Sequence, residues 1–192
     1  MKIIMFIILI SCNNQNSDFN YTVGKLYSYR EHGKKITCTF WKNSKNTIIT
    51  AGHCCDEKYI SIAEINNTTF NTTFILKTPE EKGSDLCILK SNVPGNILQM
   101  LNEDPTIGST VLSIGYPNSI FLLSNGLWSG RHLSFGVSSN VSHPGSSGSP
   151  IIFNDSVIGT VVKYSVGMDN ISFISMHEKI EEIEKDAKTN TR

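Results

Sequence analysis

The sequence has no surplus of charge. Lys and Arg number 17, Asp and Glu number 17, and the formal net charge is zero. A nucleic-acid binder needs a positive field that acts ahead of contact, so this balance argues against that class of partner. Beyond residue 12 there is no apolar run long enough to cross a bilayer as a helix. There are no internal repeats. At 39% hydrophobic residues and a mean hydropathy of −0.12, the chain also lacks the apolar poverty of a disordered one. Its cysteines and histidines are not arranged in the paired spacing of a metal-ligand set, so no metal or other cofactor is called for. What remains for 192 residues is one compact domain or two small lobes sharing a core.

The first 19 residues differ from the rest. One lysine precedes an apolar run from Ile3 to Ile10, too short for a stable membrane-spanning helix but suited to a secretory signal. The run ends in Leu9-Ile10-Ser11-Cys12, which resembles a bacterial lipobox and makes Cys12 a candidate for lipidation; the polar NNQNSD that follows reads as a tether. Plain secretion and an uncleaved anchor are the alternatives. Each places the domain outside the reducing cytosol, periplasmic, at the cell surface or secreted, with membrane contact only through this N-terminal segment.

From Tyr21 onward about a dozen short β-type runs alternate with turn residues, among them KITCTFW, NTIITA, LCILK, SPIIF and SVIGTVVKYS. That spacing predicts a closed or sandwiched antiparallel all-β architecture. The stretch from Ser91 to Ser109 carries Pro94, Gly95 and Pro105 and marks a lobe boundary. Near the end, Met176, Ile180 and Ile183 recur at helical spacing against Glu and Lys, predicting one short amphipathic helix. The asparagine- and threonine-rich NNTTFNTT shows no pattern beyond composition.

Three separated stretches bear on chemistry: TAGHC at 50–54, SDLCILK at 84–90 and PGSSGSP at 144–150. Singly, each has an ordinary structural explanation: a packed histidine at a strand end, an aspartate capping a turn, a polar surface turn. Together they resemble the chymotrypsin-like serine peptidases. There Thr-Ala-Gly-His-Cys carries the base, Asp-Leu opens the strand bearing the orienting acid, and Gly-x-Ser-Gly-x-Pro carries the nucleophile, in the chain order His, Asp, Ser. The resemblance covers about Val23 to His177. It is nearest in style to HtrA-type and glutamyl-endopeptidase-like members, from VLSIGYPNS and GSPIIFNDSVIGTVV. No Arg-Ile-Val-Gly-Gly activation string and no PDZ module are seen.

The resemblance implies two antiparallel six-stranded Greek-key barrels, at 20–98 and 99–175, followed by a C-terminal helix and tail at 176–192. It assigns His53 as base, Asp85 as its orienting acid and Ser147 as nucleophile, with the backbone N–H groups of Gly145 and Ser147 as the oxyanion hole. A serine hydroxyl is a weak nucleophile and needs such a base, which afterwards returns the proton to the leaving group. The sixteen-residue separation of Cys38 and Cys54 matches the family's disulfide around the histidine loop. Cys55 and Cys87 are read as free, partly buried thiols, with a second disulfide as the alternative. On the family alignment the primary specificity pocket falls to Val141, Val162, Lys163 and Tyr164. On that alignment Val141 offers no charge for a basic side chain and Tyr164 narrows the mouth, which implies a shallow apolar pocket for small aliphatic residues such as Val or Ala, with an acidic preference through Lys163 as the alternative.

The expected activity is that of a serine endopeptidase, monomeric and without nucleic-acid partners, acting on protein or peptide substrates through an acyl-enzyme. Two rival readings keep the fold but change the role: a binding module on a catalytically retired scaffold, or a protease processing one viral or phage polyprotein.

Overall fold

The computed structural model describes residues 22–78, 84–101, 103–133, 135–164 and 172–176. Twelve β-strands fill them, and no α-helix occurs among the described residues. The first six are β1 (Val23–Tyr29), β2 (Lys35–Lys42), β3 (Thr47–Ala51), β4 (Ile60–Ile65), β5 (Thr68–Lys77) and β6 (Leu86–Ser91). The second six are β7 (Thr110–Gly115), β8 (Leu122–His132), β9 (Phe135–Ser138), β10 (Pro150–Phe153), β11 (Ser156–Tyr164) and β12 (Ser172–Met176).

Each set closes into an antiparallel barrel, which leaves no sheet edge unpaired. Around the first barrel the order is β1-β2-β3-β6-β5-β4, and around the second β7-β8-β9-β12-β11-β10, the same path traced twice. Sequence accounts for the local turns. Asn66 and Asn67 both take positive φ, as do Asn154 and Asp155, and each pair makes a two-residue hairpin turn of the kind that favours Asn and Asp. The NNTT segment is therefore the β4–β5 turn and the start of β5. β8 alternates buried and exposed residues from Ser124 to Gly130, the signature of a strand with one face on a core.

The barrels share a core. Ile114, Ile152, Val157 and Val162 of the second pack in one cluster with Phe40, Trp41, Ile48, Leu86 and other residues of the first. Trp41 lies fully buried and its indole N–H donates to Thr160 Oγ1 at 3.0 Å across the junction. The connection between β6 and β7 is fixed to both sides. Lys42, 7% exposed, donates from Nζ to the carbonyls of Val93 (2.7 Å) and Gly95 (3.0 Å), while Leu101 N–H donates to Val157 O at 2.9 Å. The N-terminal leader and Cys12 lie outside the described residues, as does the helix expected after Met176. Met176 itself, counted with that helix, is instead the last residue of β12.

Candidate active site

Strand pairing brings His53 to Asp85. β3 and β6 are antiparallel neighbours with Ala51 opposite Leu86, and Gly52 N–H extends the ladder by donating to Asp85 O at 2.7 Å. The chain then turns through a short 3-10 segment, Gly52–Cys54, and presents the histidine ring to the aspartate. His53 Nδ1 and Asp85 Oδ2 are 2.5 Å apart. An ionised carboxylate can only accept, so Nδ1 carries the proton and Nε2 is left with a free lone pair. The imidazole is 37% exposed and the carboxylate 16%. Asp85 Oδ1 is buried without a hydrogen-bond partner, against Gly52, where any Cβ would collide with it. The glycine of TAGHC is thus needed for the approach of the two strand ends.

The second barrel supplies the serine from the loop between β9 and β10, which occupies the same place in its barrel as the histidine loop between β3 and β4 does in the first. The loop is a chain of turns. Ser146 N–H donates to His143 O (2.9 Å), His143 N–H to Ser146 Oγ (3.1 Å), Ser149 N–H to Ser146 O (2.9 Å) and Gly148 N–H to Val161 O (2.7 Å). From residue 143 to 149 only the backbone N–H groups of Gly145 and Ser147 have no acceptor among the described residues. These are the two that the sequence motif nominates as oxyanion donors. Gly145 at φ +100° and Gly148 at φ +91° hold backbone angles that other residues rarely adopt.

Thr39, in β2, couples this loop to the first barrel. Its N–H donates to Ser147 O at 2.8 Å, and its Oγ1 donates to Gly145 O at 2.8 Å while accepting from Tyr116 N–H at 3.0 Å. Gly148 sits so close to Thr39 O and Thr50 Oγ1 that a Cβ would overlap both. Thr50 stands three residues before His53, so the serine turn is pressed against the strand ends that carry the histidine. Ser147 is half-buried, and its Oγ makes no hydrogen bond to a described residue, His53 included. Thr39 was not singled out in the sequence; its position beside Cys38 is its only mark there.

Two disulfides brace the histidine loop. Cys38 joins Cys54, as the resemblance implied, and Cys55 joins Cys87. The reading of Cys55 and Cys87 as free thiols is therefore corrected: Cys55 follows the histidine turn directly, and β6 carries Cys87 to within 6.4 Å of it between Cα atoms. Among the described residues the one close cluster of metal-ligating types, Cys38, His53 and Cys54, has both sulfurs bonded to each other and so offers no thiolate. Arg30 adds a further brace, donating from Nη2 to His53 O at 3.1 Å.

The residues nominated for a specificity pocket are less closely associated. Val141 is half-buried and its N–H donates to Ser124 Oγ at 2.9 Å. Val162 is 5% exposed, packs into the inter-barrel core, and lies at an irregularity of β11 pairing; Lys163 is exposed and Tyr164 pairs along the backbone with Ser172.

No protein-family model matches the chain, and no curated protein matches it by sequence. Solved structures do match by shape. The active form of the Rv3671c protease from M. tuberculosis superposes with a TM-score of 0.75 at 19% identity, over 85% of this chain and 79% of that one. The inactive Ser343Ala mutant of the same protein gives 0.73 at 18% identity, over 88% of both chains. The serine endoprotease from Yersinia pestis gives 0.76 at 19% identity, over 88% of this chain but 64% of that one. At these identities the likeness is one of fold: the chain has the double β-barrel architecture in which these serine proteases are built.

Proposed function

We propose that the protein is a serine endopeptidase with His53, Asp85 and Ser147 as its catalytic triad. One observation carries the reading. A hydrogen-bonded His–Asp pair in one barrel and, in the other, a serine turn whose Gly145 and Ser147 N–H groups have no acceptor among the described residues are held together by Thr39. His53 Nε2 takes the Ser147 proton as Oγ attacks the peptide carbonyl. The oxyanion so formed accepts hydrogen bonds from Gly145 and Ser147 N–H. The tetrahedral intermediate collapses as His53 gives the proton to the departing amine, leaving an acyl-serine. Water, deprotonated by the same imidazole, then releases the new carboxylate and restores Ser147. Asp85 fixes the ring tautomer and stabilises the imidazolium. The solved structures of the same fold, described as proteases, support the reading.

Cleavage of an unfolded protein, with the new termini mapped, tests it. Asp85→Asn is expected to lower kcat by about 10⁴, because the ring then adopts the wrong tautomer. A wild-type rate in that variant contradicts the assignment. Two disulfides next to the site fit an oxidising compartment, in keeping with export through the N-terminal segment. A mature chain beginning at a lipidated Cys12, read by intact mass, would establish the lipoprotein form; a soluble chain starting later would establish plain secretion.

A further inference from the structure

A cleft of about 540 Å³ opens beside Gly145 and is lined by Arg30, Lys34, Lys35, Ile36 and Thr37 of the first barrel, with Asn118 and Pro144 closing the far wall. Among the described residues its lining contains three cations and no carboxylate, in a chain whose formal charge is zero. A tight turn produces this: Arg30 N–H donates to Lys34 O (2.9 Å) and Gly33 N–H to Arg30 O (3.1 Å), setting Lys34 and Lys35 side by side at the start of β2. Both lysines are exposed, and neither forms an ion pair with a described residue. Lys35 Nζ lies 3.7 Å from the Tyr27 ring centroid, and Arg30 lies over Tyr59 at 5.3 Å. Arg30 also borders a second hollow, with Glu31, Asp56, Lys58 and Tyr59, so of the three cations only the two lysines belong to this cleft alone.

Topology fixes which part of a substrate reaches it. In the endopeptidase reading, on which this inference rests, the scissile carbonyl oxygen sits at Gly145 and Ser147 N–H and the leaving nitrogen at His53. The cleft floor, Ile36 and Thr37, runs directly into Cys38, whose disulfide to Cys54 abuts His53. The chain that follows the scissile bond therefore passes the disulfide and enters the cleft. A strand rises about 3.3 Å per residue, so Lys35 stands about 10 Å along β2 from Cys38. That is the reach of two to three residues of an extended peptide.

We infer that this cleft binds the leaving-group side of the substrate and selects acidic side chains, Asp or Glu, at the second and third residues after the cut. Internally quenched peptides, identical up to the scissile bond and bearing Asp-Asp, Ala-Ala or Lys-Lys at those positions, test it. Exposed ion pairs are individually weak, so kcat/KM is expected to favour Asp-Asp over Ala-Ala by about 10-fold, with Lys-Lys below both. The preference should fade between about 0.1 M and about 1 M salt, as the Debye length falls from about 10 Å to about 3 Å. Charge reversal in the double variant Lys34→Glu, Lys35→Glu should invert the order. Fluorophosphonate labelling of Ser147, which involves nothing beyond the cut, reports separately on the catalytic centre. Normal labelling with equal kcat/KM for all three peptides, or an acidic preference that survives charge reversal, overturns the inference and leaves the endopeptidase reading standing. Absence of both labelling and cleavage overturns that reading and this inference with it.

Discussion

The backbone N–H of Thr39 donates to the carbonyl of Ser147 at 2.8 Å, one residue of each barrel holding the other. The same threonine's hydroxyl bonds Gly145 O and Tyr116 N–H, so this one residue, 0% exposed, holds Ser147 through its backbone and Gly145 through its side chain. Thr39→Val keeps the shape but leaves the buried Gly145 carbonyl without its partner, at about 1–3 kcal/mol, and frees the partly buried Tyr116 N–H. The expected outcome is a folded protein with kcat lowered at least 10-fold and KM little changed, because the loss falls on oxyanion geometry. Unchanged kcat would show that Thr39 does not position the loop.

Close approach makes a sharper demand at Gly148. Gly148→Ala would drive a Cβ into Thr39 O and Thr50 Oγ1 at φ +91°, and the barrels should separate locally, with loss of peptide cleavage and a lowered melting temperature. Gly33 also has positive φ, +72°, but faces open space. Gly33→Ala therefore incurs only the backbone strain, about 1–2 kcal/mol. Thermal melts of the two variants compare packing with strain directly; equal losses would contradict the contact account.

The two disulfides close loops of 16 and 32 residues. In the chain-entropy model these stabilise by about 3.1 and about 3.7 kcal/mol. For a domain of this size each should be worth about 5–15 °C of melting temperature. Non-reducing peptide mapping should recover Cys38 linked to Cys54 and Cys55 linked to Cys87. Recovery of all four as thiols from exported protein would contradict the pairing.

Before the cut, a preference for small aliphatic residues such as Val or Ala is expected from Val141, with Lys163, exposed, the one cation among the four residues aligned to the pocket. Apolar pockets discriminate by about 1–3 kcal/mol per methylene, so a cleavage profile from a peptide library should be graded. A profile dominated by Arg or Lys would show that Val141 does not line the pocket.

The strands and the three chemical strings were legible because each is local: β-branched runs between turn residues, and residue types that the chemistry restricts to His, Asp and Ser. Features that depend on partners distant in the chain were not. Cys55 meets Cys87 because β6 lies beside β3, a fact of barrel order invisible in either cysteine's neighbours. Thr39 looks like any strand threonine until the second barrel docks on it. The length of β8 was hidden by Gly126 and Gly130, which interrupt its apolar pattern, and the β4–β5 turn by the repetitive look of Asn66 and Asn67 among threonines.

In the proposed reaction Ser147 is a nucleophile activated by His53. Labelling the folded protein with a fluorophosphonate and locating the adduct by mass spectrometry tests it most directly, with Ser147→Ala and His53→Ala alongside. The account predicts a single stoichiometric adduct on Ser147, absent from Ser147→Ala and slowed by orders of magnitude in His53→Ala. An unlabelled wild-type protein, or an adduct on Ser146 or Ser149 instead, would contradict it.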